Sequence, residues 1–177
     1  MKADASHKLL IQADELGHEA RAGQGDHAVL RLWLRMLSCT TQIEDEIRRR
    51  LRVNFDISLA RFDYMAQLYR QPEGLMMKEL SRYLMVTGGN ITGLTDELER
   101  EALVVREPSP TDRRSWIVRL TDKGRDAFSE MARQHELWIH ELFGGLDAKT
   151  AQTLHAQLGS LRVHVMHARA NNEDNNP

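Results

Sequence analysis

The side chains able to do chemistry fall into two groups, one catalytic in type and one suited to recognition. Eight histidines and one cysteine make up the first. His135-Glu136 followed by His140 comes close to the zinc-hydrolase pattern H-E-x-x-H, in which two histidines one helical turn apart share an ion. Here the second histidine lies five residues on, which turns it about 140° from the first, so one ion cannot reach both from a regular helix. His164 and His167 are three apart, but no third ligand accompanies them, and surface histidines are expected. No Ser-His-Asp or Cys-His spacing stands out, and no phosphate-cradling glycine loop follows a strand. The chain therefore reads as a non-enzyme with no metal site and no cofactor. The single cysteine, Cys39, excludes an internal disulfide framework and a cysteine-rich zinc site. Its thiol is either a redox sensor or a small buried hydrophobe; the second is expected, because no cation shares its face in the Met36 to Ile43 turn.

The second group is Thr87, Gly88, Gly89, Asn90, Thr92 and Gly93, with Asp112, Arg113 and Arg114 farther on. These residues offer hydrogen-bonding groups, positive charge and a near-absence of bulk, which suits close approach to a polyanion. The elements that must position them can be read from period and punctuation. As a helix, Thr87 to Glu101 places Ile91, Leu94 and Leu98 in one buried stripe, with Gly89, Thr92, Gly93, Asp96 and Arg100 opposite. Each interior glycine costs roughly 1 kcal/mol against alanine, so Gly88, Gly89 and Gly93 make sense where the surface must be flat; a loose turn before a shorter helix is the alternative. Thr87 caps this helix, whose N-terminal dipole favours a phosphate. Asn90 is either a cap residue or an adenine reader. Leu103-Val104-Val105, the polar break PSPTDRRS and the alternating run Trp116 to Leu120 form a two-stranded hairpin with a long tip. With Met76 to Leu84 as a supporting helix, the layout is a winged helix-turn-helix whose second helix enters the major groove.

The run TGGNITGLTDELEREALVVREPSPTDRRSWIVRLTDKG resembles the MarR (multiple antibiotic resistance regulator) family, in the recognition helix, the D-x-R of the wing and the strand end Leu120-Thr121-Asp122-Lys123-Gly124. With its flanking helices the resemblance covers roughly residues 26 to 170. It departs from the pattern twice. The family commonly carries an arginine at the position of Gly93, and glycine offers no donor for a guanine contact. It commonly carries a glycine at the position of Ala102, where a left-handed C-cap residue is usual, so alanine there should cost some stability. The resemblance implies a ligand-responsive regulator, a repressor that binds a palindromic operator as a homodimer. It also implies release by a small-molecule effector, an aromatic carboxylate or an aromatic acyl-CoA thioester. Arg113 and Arg114 are expected to contact the duplex. An acidic group near phosphates is repelled unless it orients a neighbour, so Asp112 is assigned to holding one of those arginines at the minor groove.

The remainder of the chain supports the module. Its 177 residues, 41% hydrophobic and 28% charged, suit a single soluble unit with a substantial core. A formal net charge of -2, and nine Lys and Arg against eight Asp and Glu between Lys78 and Arg125, exclude coating of nucleic acid by bulk charge. The fold class is mainly α with a small β-hairpin wing, a winged helix-turn-helix module plus a helical dimerisation region. Residues 1–25 form an N-terminal arm, with a short helix over Leu9, Leu10, Ala13 and Leu16 ending at Gly23-Gln24-Gly25. Residues 26–57, capped by Asp26, and 121–170, opened by Thr121, form the dimerisation region; residues 58–120 are the DNA-binding module and 171–177 a disordered tail. The first long helix spans about 40 Å, too far for one small domain to cover, and a second copy is the expected cover. Trp33, Met36, Arg61, Tyr64 and Trp138 are the candidate effector residues, each weighed against an ordinary core or solvated role. With no membrane-length apolar stretch and no signal-peptide core, a cytoplasmic location is expected. Two further readings stay open: a redox-sensing regulator of the same fold using Cys39, and a ligand-free architectural DNA-binding protein.

Overall fold

The computed structural model describes residues 28–84, 87–109 and 115–174, the side chains through Ala168. The expected arm with its short helix, the Asp26 cap and the wing-tip residues Asp112, Arg113 and Arg114 lie outside the described residues. The chain divides into two compact units, Met1–His135 and Glu136–Pro177.

In the first unit, α1 (Ala28–Phe55) carries its apolar residues at helical period but buries only Ile47 and Leu51. Val29, Leu32 and Trp33 are exposed, Val29 at 82%. Its end is marked by Asp56 at φ 49°, a left-handed position that a short polar side chain tolerates. Ser58 then caps α2 (Leu59–Tyr69) by accepting from the Arg61 N–H at 3.3 Å. Phe62, Tyr64, Met65 and Leu68 of α2 are buried and form the centre of the core. After Gln71-Pro72-Glu73, Gly74 takes φ +87°, and a Cβ there would lie 2.6 Å from the Val118 carbonyl, so only glycine fits the turn.

Where a two-stranded hairpin was expected, the sheet has three strands in the order β1-β3-β2, with β1 at Leu75–Met76, β2 at Val104–Pro108 and β3 at Trp116–Leu120. Leu75 pairs with Val118 and Met76 with Ile117. A two-residue strand is too short to show a period of two, and Met76 therefore read as the start of a helix. The helix itself, α3, is Met77–Leu84, and Glu79 accepts the Met76 N–H at 2.9 Å at its start. Recognition helix α4 is Gly88–Arg100. The first part of α5 (Asp122–Leu142) packs on α2 through rings: Phe62 and Phe128 stand 5.3 Å apart, Tyr69 and Phe128 4.9 Å.

The second unit holds the end of α5, the Gly144-Gly145 break and α6 (Ala148–Asp174). Asp147 starts α6 by accepting the Thr150 N–H at 2.9 Å. The helix runs to Asp174, past the expected start of the tail at residue 171, with Gly159 inside it and no further glycine or proline before Pro177. From Ala148 to Ala168 every side chain is exposed except the half-buried Leu161. Among the described residues no helix is long and apolar enough to cross a membrane.

Candidate nucleic-acid interface

Thr87 opens α4 with extended backbone (φ -69°, ψ 156°) and accepts the Asn90 N–H at 3.5 Å, so the cap is Thr87 and not Asn90. The inner side of the helix buries Ile91, Thr95 and Leu98, while Leu94 is only half-buried. The stripe is thus turned by one residue from the expected one, because a threonine takes the central place. Thr95 can be buried because both capacities of its hydroxyl are met. It donates to the Ile91 carbonyl at 2.7 Å, which leaves Tyr64 as donor across the 2.6 Å contact between the two hydroxyls.

Tyr64, expected as an effector residue, is therefore a core strut: it is fully buried, and burial pushes its phenol up to about 12. A second tie comes from β2. Arg106 reaches Asp96 at 2.8 Å and Glu99 through Nε at 2.9 Å, and its backbone N–H adds a bond to Glu99 at 3.3 Å. Glu99 and Asp96 both raise the Arg106 pKa, the hydrogen bond to Glu99 most. Asp96, expected on the outward face, is accordingly turned to the wing strand. Arg106 carries no signal in the sequence, since its partners lie on another element.

The signature Leu120-Thr121-Asp122-Lys123-Gly124 proves to be the clamp on the far end of α4. Ala102 sits at φ 56°, its N–H bonded to the Glu99 carbonyl and the Leu103 N–H to the Leu98 carbonyl, both at 2.9 Å. That is a Schellman cap with alanine in the left-handed place usually held by glycine. The Thr121 hydroxyl donates to the Ala102 carbonyl at 2.7 Å and accepts the Gly124 N–H at 2.9 Å, so it also opens α5. Lys123 donates to the Glu101 carbonyl at 2.8 Å. Gly124 is obligatory here: a Cβ would stand 1.9 Å from the Leu103 carbonyl oxygen.

With its inner side and C-terminus held, α4 presents Thr87, Gly88, Gly89, Asn90, Thr92 and Gly93 to solvent. A Cβ added at Gly88, Gly89 or Gly93 would meet nothing within 4 Å, so no contact inside the described chain requires these glycines. The Thr92 hydroxyl donates to the Gly88 carbonyl at 3.1 Å. On α3, Lys78 and Arg82 are exposed, with Arg82 5.4 Å above the Tyr83 ring. These cations suit phosphate contacts from a supporting helix, and charge on the polar side of Met76 to Leu84 was the available signal.

The candidate effector residues are not equivalent. Trp33 is exposed at 56%, Met36 half-buried and Trp138 buried. Arg61 pairs with Glu101 and lines a cavity of about 210 Å³ with Phe55, Ile57, Leu103, Ala127 and Met131. Its Nε is buried with no hydrogen-bond partner among the described residues. Cys39 is exposed, not buried as expected: among the described residues no element covers its side of α1. His135 packs on the Phe62 ring at 5.1 Å, and burial lowers its pKa.

A supporting helix, a second helix open on its outer face and two paired strands of the sheet beside it define a winged helix-turn-helix, a DNA-binding class and not an enzyme. Comparison with known proteins narrows this. The MarR family profile matches residues 55–115. The helix-turn-helix transcriptional regulator YkoM of Bacillus subtilis is 34% identical over 107 residues, 60% of this chain and 68% of its own. The crystal structure of a MarR family transcriptional regulator from Silicibacter pomeroyi superposes with a TM-score of 0.68 at 30% identity, over 81% of this chain and 99% of that one. The chain belongs to the MarR family of transcriptional regulators. The same fold is seen in the Staphylococcus aureus MepR–DNA complex, with a TM-score of 0.63 at 22% identity over 75% of this chain and 96% of that one.

Proposed function

We propose that the protein is a cytoplasmic, ligand-released repressor that binds a palindromic operator as a homodimer, with α4 in the major groove. The observation that carries this reading is the outer face of α4, whose exposed glycines serve no contact within the described chain yet cost helix stability. Only an outside surface gives them a purpose. The capture of MepR on DNA supports the same use of the shared fold. Thr87, Gly88, Gly89, Asn90, Thr92 and Gly93 would face the groove, and Arg113 and Arg114, oriented by Asp112, would hold the flanking phosphates or minor groove.

A second copy is supported by exposed apolar side chains in both units: Val29, Leu32 and Trp33 on α1, and Leu154, Leu158, Val163, Val165 and Met166 on α6. The dimerisation region would be residues 26–57 and 121–170. Two recognition helices must sit about 34–36 Å apart to read successive grooves, so a ligand that shifts them weakens binding. An aromatic carboxylate or its CoA thioester is the effector class that family resemblance suggests; the cavity beside Arg61 is also lined by Asp56, Glu101 and Glu130, so a carboxylate there would have to displace Glu101 from the arginine. The test is a titration of palindromic duplex with the full chain, its mass measured in the same solution. A dimer on one duplex is expected, with affinity lost in Arg113→Ala/Arg114→Ala. A monomer, or unchanged affinity in that variant, would overturn the reading.

The exposure of Cys39 favours a second reading, in which its oxidation sets the DNA-bound state. Peroxide should then release duplex from the unsubstituted chain and not from Cys39→Ser.

A further inference from the structure

Resting on the placement of α4 in the major groove, we propose that Asn90 is the base-reading residue of each half-site. Its side-chain amide is bidentate on an adenine. Asn90 occupies the third position of α4, within the first turn, and recognition helices reach base edges from their N-terminal residues. Because Thr87 takes the cap, the Asn90 amide is released from that duty. That side-chain amide is exposed and makes no hydrogen bond to any described residue, the Thr87 contact being made by the backbone N–H.

The neighbours on this face have less to offer. The Thr87 oxygen is engaged by the Asn90 N–H, and the Thr92 proton is committed to the Gly88 carbonyl. Gly88, Gly89 and Gly93 present no functional group. Asp96 is held by Arg106, and Glu97 and Arg100 lie in the last turns, beyond the stretch that reaches the groove floor. One free amide therefore remains where a base edge would be.

An asparagine amide combines a donor with an acceptor. Adenine presents the complement, the N7 acceptor beside the N6 amino donor, whereas guanine presents two acceptors and needs a cation or two donors. The absence of a side chain at Gly93 removes the mid-helix position from which an arginine could supply them. It also lets the helix settle deep enough for an asparagine, which is short, to reach the base. The half-site should then contain an adenine that no other base replaces, and no guanine read from the centre of α4.

Selection of bound duplexes from a random pool by the full-length chain, followed by titration of each single-base variant, tests this. One adenine per half-site is expected to be required. Asn90→Ala should lose preference at that position by on the order of tenfold to a hundredfold, a larger drop than its affinity for random duplex shows. Asn90→Arg should move the preference toward guanine. Undiminished adenine preference in Asn90→Ala, or equal weakening on every duplex, would sink the base assignment alone. If the unsubstituted chain enriches no sequence at all, the operator-binding reading fails and the assignment with it.

Discussion

Helices α4 and α6 stand at opposite ends of how a helix can be held. The 13-residue α4 is fastened on its inner side by Ile91, Thr95 and Leu98, from the sheet by Arg106, and at its end by Thr121 and Lys123. Only its outer face is open. The 27-residue α6 buries none of its described side chains, although Leu154, Leu158 and Val165 fall at helical spacing. A helix that must deliver hydrogen bonds to fixed positions loses affinity for every degree of freedom it keeps, so its scaffold removes them beforehand. In the proposed dimer the exposed apolar side chains of α6 would be covered by the second copy, and the stability of the helix would then depend on association.

The contrast can be broken from either side. The largest effect is expected at the clamp: Gly124→Ala drives a Cβ into the Leu103 carbonyl, and the loss should be about 3 kcal/mol, at the upper end of overpacking costs, read as a lower urea midpoint. Next comes the paired change Leu154→Glu/Leu158→Glu. It places like charges within an apolar contact and should weaken self-association by about 2 kcal/mol or more, seen as a monomer by light scattering. A chain that stays dimeric would remove α6 from the interface.

Smaller changes sharpen the picture of α4. Tyr64→Phe deletes one buried hydrogen bond, while Thr95 keeps its bond to Ile91, so about 1 kcal/mol should be lost in thermal unfolding. Gly93→Ala should stabilise the helix by up to about 1 kcal/mol while weakening duplex binding, a change of opposite sign in the two assays. If both improve, the flat face serves nothing outside the chain. Ala102→Gly should stabilise the fold slightly, by about 0.5 kcal/mol, read as a higher melting temperature, since relief of the left-handed alanine is partly offset by the greater freedom of glycine when unfolded.

By itself the sequence determined the helices of the described residues, the position of α4 between Thr87 and Glu101, its glycine face, and the cap at Thr87. Those are local properties: period, propensity and capping act within a turn or two of chain. The L-T-x-x-G signature was also legible as a pattern, though not as a clamp. Tertiary structure alone decided the rest. It gave the central place in the α4 stripe to Thr95, because a tyrosine on α2 stands opposite to satisfy it. It took Tyr64 from the effector candidates and Asp96 from the outward face, because their partners lie 31 and 10 residues away in sequence. It added β1, whose two residues have meaning only beside β3. Pairings between distant residues leave no periodic trace in either partner, and that is why only the folded chain discloses them.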